Sequence, residues 1–226
     1  MAEILFVLTG ADRWTLADGT GHPTGFWAEE FVVPYRTFTE AGHRVTVATP
    51  GAVVPKPDPA SLTADFGGEA FAAEVEGIAA LRDPIKVEEA DPAAYDAVFY
   101  PGGHGPMEDL SVNADSGRLL TAALDSGRPL AVVCHGPAAM LAAERADGTP
   151  TFAGYRLAAF TNEEETQAGF ADKAAWLLED RLVALGANVD KGEAWAPHVV
   201  VDRNLYTGQN PSSSGPLADE VLKALG

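Results

Sequence analysis

The sequence predicts an α/β fold: a three-layer, doubly wound sandwich around a mostly parallel central sheet. Two observations carry this. Short apolar runs rich in Val, Leu and Phe end in Gly- or Pro-bearing turns, and stretches of helical period lie between them. Runs that are apolar on both faces suit parallel strands, and strand–helix alternation builds a sheet covered on both sides.

The elements follow in order. EILFVL is the first strand and stops at Thr9-Gly10. Glu29 to Ala41 keeps Phe31, Val32, Tyr35 and Phe38 near one helix face. HRVTVAT is the next strand and stops at Pro50-Gly51. From about residue 52 to 94 the alternation lapses. This stretch holds PKPDP and two short helix-like pieces, and reads as a surface insertion in preference to a lid or dimer contact. DAVFY ends at Pro101-Gly102-Gly103, and Ser116 to Ser126 forms a helix around Leu119, Leu120 and Leu124. PLAVV runs into Cys134-His135-Gly136-Pro137, with Ala138 to Ala143 continuing as a helix. Lys173 to Leu185 is a further helix, carrying Trp176, Leu177, Leu182 and Leu185 and stopped by Gly186. Residues 1–226 are read as a single domain, a length for which one core suffices.

Composition narrows the function classes. The net charge of −18 argues against nucleic acid and anionic membranes as partners. No apolar stretch approaches the roughly 18 residues of a membrane span. The start MAEILFVLTGADR lacks the basic flank of a secretory signal. The single cysteine can form no internal disulfide, which fits a reducing, cytoplasmic setting.

That cysteine is the sharpest chemical feature. In RPLAVVCHGPAAML, Cys134 follows a buried strand and precedes a helix, the grammar of a nucleophile elbow. A helix start directed at the sulfur favours thiolate, and its amides can hold an oxyanion. From position alone, a small buried hydrophobe is an equal reading. The glycines of DAVFYPGGHGPMEDL leave backbone amides uncovered as further oxyanion donors, or form a plain turn.

Taken together, GFWAEEFVVPYRTF, VTVATPG, DAVFYPGGHGPMEDL, AVVCHGPAAML, LAAFTNEEE and LYTGQNPSSS resemble the ThiJ/PfpI branch of the class I glutamine amidotransferase-like superfamily. Within it the chain is most similar to the chaperone-like, glutathione-independent glyoxalases (glyoxalase III, or D-lactate dehydratase). The resemblance implies a flavodoxin-like fold and makes Cys134 the nucleophile. It implies that Glu30, with Pro34 fixing the helix register, reaches the sulfur, that His135 is the partner imidazole and that Glu165 is the third acid. Glu163 and Glu164 flank Glu165, so the register of this triplet stays open. Gly103 and His104 are implied as oxyanion or substrate-binding amides, together with the His135 amide. The Gly208–Ser212 turn is implied as support.

The resemblance implies a small carbonyl substrate, no cofactor and a homodimer. No metal is expected, since neither H-x-x-x-H nor C-x-x-C occurs. His22 and His198 have no motif role, and Trp14 and Trp27 read as core aromatics that could wall a pocket. Three activities compete. The first is a lyase converting methylglyoxal or a similar 2-oxoaldehyde to a 2-hydroxy acid. The second is a cysteine amidase or peptidase. The third is a stress-related holdase or thiol redox sensor.

Overall fold

The protein is described by a computed structural model covering residues 1–66 and 68–226. In chain order the elements are β1 (Glu3–Val7), β2 (Arg13–Thr15), β3 (Gly21–Pro23), α1 (Ala28–Glu40), β4 (Arg44–Thr49), α2 (Gly68–Gly77), β5 (Ile85–Lys86), β6 (Ala97–Tyr100), α3 (Gly105–Glu108), α4 (Ala114–Asp125), β7 (Leu130–Val133), β8 (Arg156–Leu157), α5 (Asn162–Gln167), α6 (Leu178–Ala184), β9 (Asn188–Val189), β10 (Val199–Asp202), β11 (Leu205–Gly208) and α7 (Ser214–Leu225).

Seven strands form one sheet in the order β10-β11-β7-β6-β1-β4-β5. Every pairing in it is parallel except β10 with β11. The two strands that pair with β1 are β4 and β6, which lie on opposite sides of it, so the winding reverses there. Ligand sites of doubly wound sheets form at the carboxyl ends beside such a reversal. The α/β sandwich expected from the sequence is therefore the fold.

Residues Ile4 to Leu8 and Leu130 to Val133 are fully buried, as strands covered on both faces must be. Phe6 stacks on Phe99 at 4.9 Å and meets Phe31 edge-on at 5.4 Å, joining two strands to α1. Each such ring contributes about 2–3 kcal/mol through burial. Among the described residues, no helix is long and apolar enough to cross a membrane.

Three expectations need correction. The helix expected from Lys173 begins only at Leu178. The Phe170 carbonyl accepts from both the Lys173 and Ala174 amides, closing a turn that consumes the first residues of the stretch. Its stop at Gly186, in the left-handed region at φ 95°, is as expected. The segment after Cys134 is a 3-10 helix, Gly136–Ala142, where an α-helix was expected. Bonds such as Ala138 N–H to the His135 carbonyl tighten it. It then packs so closely on α4 that a Cβ at Gly117 would lie 1.9 Å from the Ala142 carbonyl oxygen. Finally, the 52–94 stretch is more than a surface insertion. It supplies β5 to the sheet edge, and the Phe26 carbonyl accepts from the Asp58 amide at 2.8 Å, tying the stretch to the strap before α1.

Candidate active site

Cys134 is the first residue beyond β7 and sits in the left-handed region at φ 58°. A non-glycine residue there carries strain of order 1–2 kcal/mol. Two backbone bonds hold it: the Cys134 amide donates to the Gly208 carbonyl, and the Phe160 amide donates to the Cys134 carbonyl, each at 2.9 Å. This is the sharp turn that the sequence pattern predicts. The short 3-10 helix behind it lacks the aligned dipoles of a long α-helix, so the expected help to a thiolate is smaller.

Glu30 lies in the first turn of α1 and is fully buried beside the sulfur. Its Oε2 accepts from the Gly102 amide at 2.6 Å, while Oε1 is buried without a partner. Burial pushes its carboxyl up to about 8. At neutral pH Glu30 is therefore protonated, and Oε1 carries a hydrogen that needs an acceptor. Burial also pushes the Cys134 thiol up, and negative charge on Glu30 pushes it further, against a smaller pull from the Gly103 amide. Burial and Glu30 thus act on the sulfur against the thiolate that the helix start was expected to favour.

His135 turns back on its neighbour. Its Nδ1 lies 3.3 Å from Cys134 Sγ and its Nε2 lies 2.7 Å from Glu165 Oε2. Glu165 Oε1 in turn lies 2.8 Å from His104 Nε2. Burial alone would raise the Glu165 carboxyl, but the two imidazoles outweigh it and hold the group well below the usual carboxylate range. Burial and the proximity of His135 push the His104 imidazole down, so this ring is neutral at pH 7.

The acidic triplet resolves into three roles. Glu163 is exposed and accepts from Gln167. Glu164 closes the capping box with Thr161 and accepts from Gln209, Asn210 and the Trp195 amide. Only Glu165 faces the imidazoles. The Gly208–Ser212 turn thus supports the site through Glu164, on the same helix start.

Gly102 and Gly103 must be glycine. A Cβ on Gly102 would lie 2.6 Å from the His135 nitrogen and 2.8 Å from Glu30 Oε2. Gly103 has φ 86°, and a Cβ there would lie 2.4 Å from the Gly25 carbonyl oxygen. The sequence pattern singled out only the backbone of His104. Its buried imidazole stacks on Trp14 at 4.3 Å and 12° and lies 4.1 Å from the His135 ring. A bulky imidazole set inside a glycine turn was the available signal.

These residues floor a cavity of about 630 Å³. Its walls include Trp27, Phe66, Phe160, Phe170 and Trp195, and no Lys or Arg is among its described lining residues. His22, left without a role by the sequence, also lines it, 4.6 Å from Phe170. His198 instead pairs with Asp190 at 3.2 Å. His104, His135 and Glu165 place possible metal-ligand atoms within 4.8 Å of one another, a grouping that motif spacing did not reveal. Those nitrogens and oxygens already face each other in hydrogen bonds, so an ion would have to displace both.

A doubly wound sheet with a buried cysteine on a strained turn, backed by imidazole and carboxylate, defines a class of cysteine-elbow α/β proteins. The chain belongs to the DJ-1/PfpI family, whose profile matches residues 23–224. A bovine glutamine amidotransferase-like class 1 domain-containing protein is 32% identical over 90% of both chains. Glyoxalase 3 of Candida albicans is 28% identical over 99% of this chain and 98% of its own. The crystal structure of glyoxalase III from Candida albicans matches with a TM-score of 0.85 at 26% identity, over 99% of this chain and 97% of that one.

Proposed function

We propose that the protein is a glutathione-independent glyoxalase-type lyase, converting methylglyoxal or a similar 2-oxoaldehyde to a 2-hydroxy acid. One observation carries the reading: the Cys134 sulfur lies 3.3 Å from His135 Nδ1 and beside the buried Glu30, whose carboxyl burial pushes up to about 8, at the floor of a cavity with no Lys or Arg among its described lining residues. This pairing of a proton donor and a proton acceptor suits moving a hydrogen between adjacent carbons. Its likeness to proteins named glyoxalase 3 supports the same reading.

In the proposed sequence, His135 Nδ1 takes the thiol proton as the sulfur bonds to the aldehyde carbon. The C=O π bond opens, and the oxygen receives that proton to give a hemithioacetal. The freed Nδ1 then removes hydrogen from C1, and a proton is delivered to C2. Glu30 exchanges the proton that shifts between the two oxygens, and the Gly103 and His104 amides hold developing negative charge. C1 rises to the thioester level as C2 falls to a carbinol, so no external oxidant is needed. Water cleaves the S–C bond, releasing the 2-hydroxy acid and restoring the thiol.

The test is lactate formation from methylglyoxal by purified protein without glutathione. Activity that falls by at least about 10³-fold in Cys134→Ala is the expected result. Absence of Cys134-dependent lactate sinks the reading. The cavity is several times the volume of a three-carbon aldehyde, which favours cysteine amidase as the second reading. A panel of small amides and peptides on the same two proteins separates them.

A further inference from the structure

We infer that the His104 imidazole is a positioning residue that holds His135 in the tautomer able to accept the Cys134 proton. The inference needs Cys134 and His135 to be the reacting pair, and holds for lyase and hydrolase readings alike.

The Glu165 carboxylate is buried and has one oxygen on each imidazole Nε2. Two ring N–H groups pointing at one ionised carboxylate is the arrangement that satisfies both of its oxygens. It places the His135 hydrogen on Nε2 and leaves a lone pair on Nδ1, which is the atom 3.3 Å from the sulfur. Removing the His104 donor leaves Oε1 of a buried carboxylate without a partner. An anion so placed is costly, and protonation relieves it. A protonated Glu165 donates to His135 Nε2, the ring hydrogen moves to Nδ1, and the thiol loses its acceptor.

The surroundings of His104 fit such a role. Its ring is fixed by a nearly parallel stack on Trp14, a buried residue of the β2–β3 hairpin itself. Its low basicity keeps it neutral, so it orients Glu165 without adding charge beside the His135 that must become positive. A second cation there would oppose proton transfer from the thiol.

Two substitutions separate stacking from hydrogen bonding. His104→Phe keeps an aromatic ring on Trp14 but donates nothing, whereas His104→Gln loses the stack and offers an N–H in place of Nε2–H. Cys134 alkylation by iodoacetamide at pH 7 reads the thiol without any substrate. His104→Phe slows it by about 10-fold or more, and His104→Gln stays within about threefold of wild type. Imidazole ¹⁵N NMR shows the His135 hydrogen moving from Nε2 to Nδ1 in His104→Phe alone. In a Glu165→Gln background, His104→Phe adds little further loss. Thermal melts confirm that each variant is folded. An unaltered alkylation rate and ¹⁵N spectrum in folded His104→Phe overturns the inference. Equal losses in Phe and Gln variants, or fully additive losses with Glu165→Gln, also overturn it. Where 2-oxoaldehyde turnover is measured, the loss in His104→Phe falls on kcat with KM little changed. Failure of turnover in wild type rejects the glyoxalase reading but leaves the alkylation and NMR results to decide this one.

Discussion

The first turn of α1 and the first turn of α5 each bring a buried glutamate to the same sulfur environment, with opposite outcomes. Glu30 has one backbone donor and an orphaned oxygen, and its carboxyl is pushed up to about 8. Glu165 has an imidazole on each oxygen and is held well below the usual range. Both sit near a helix N-terminus, where the backbone favours a carboxylate. The helix start therefore does not decide the matter. The number of donors that each oxygen finds after burial does, and the result is one acid and one anion around a single thiol.

Removing the anion is the largest perturbation of this pair. Glu165→Gln lowers kcat for the proposed reaction by about 10²–10³-fold, because His135 loses the charge that stabilises its protonated form. Steady-state rates at saturating substrate check this. Glu30→Gln gives a smaller loss, roughly 10-fold. It also moves the pH profile of Cys134 alkylation to lower pH, since burial no longer acts with a nearby negative charge.

Stability separates the two acids by sign. Burial pushes the Glu30 carboxyl up to about 8 from the ordinary 4.5, so the folded state binds its proton more tightly. Its favourable contribution is fully present below pH ~4.5 and is lost as pH rises through ~8, a change on the order of 5 kcal/mol. Glu30→Gln is therefore expected to raise Tm relative to wild type at pH 8, by more than it does at pH 5. Calorimetry across that window checks the difference. Glu165 works the other way, with stability present above its unfolded value and lost in acid as the carboxylate is protonated. The smallest effect on the chemistry comes from Glu164→Ala, which touches neither imidazole. It removes the acceptor of the Thr161, Gln209, Asn210 and Trp195 bonds and costs about 2–3 kcal/mol in urea unfolding, with alkylation of Cys134 little changed.

These contrasts also mark where the sequence could be read. The four principal strands were legible because burial on both faces leaves continuous apolar runs. Cys134 was legible as a turn residue, and its family motif made it a candidate nucleophile. Glu165 could be placed only by resemblance, because its neighbours share its chemistry and differ only in direction. The upward push on the Cys134 thiol was not legible, since it comes from burial and from Glu30, which lies across the fold over a hundred positions earlier. The imidazole of His104 was missed for a similar reason: its partners, Trp14 and Glu165, lie in distant segments. The wall built by the 52–94 stretch could not be read from a segment without strong periodicity.

The two backbone bonds that clamp Cys134 have a consequence for how this scaffold can change. They tie the Cys134 backbone to Gly208 at the end of β11 and to Phe160 ahead of α5. Phe66, from the stretch that wanders over the sheet edge, and Trp195, from the loop before β10, belong to the cavity wall and take no part in that clamp. Only Phe160 belongs to both the clamp and the wall among these residues, so most of the wall is built apart from the bonds that set the turn. The loops carrying Phe66 and Trp195 can therefore be exchanged or lengthened, and the cavity reshaped, without altering the backbone bonds at Cys134.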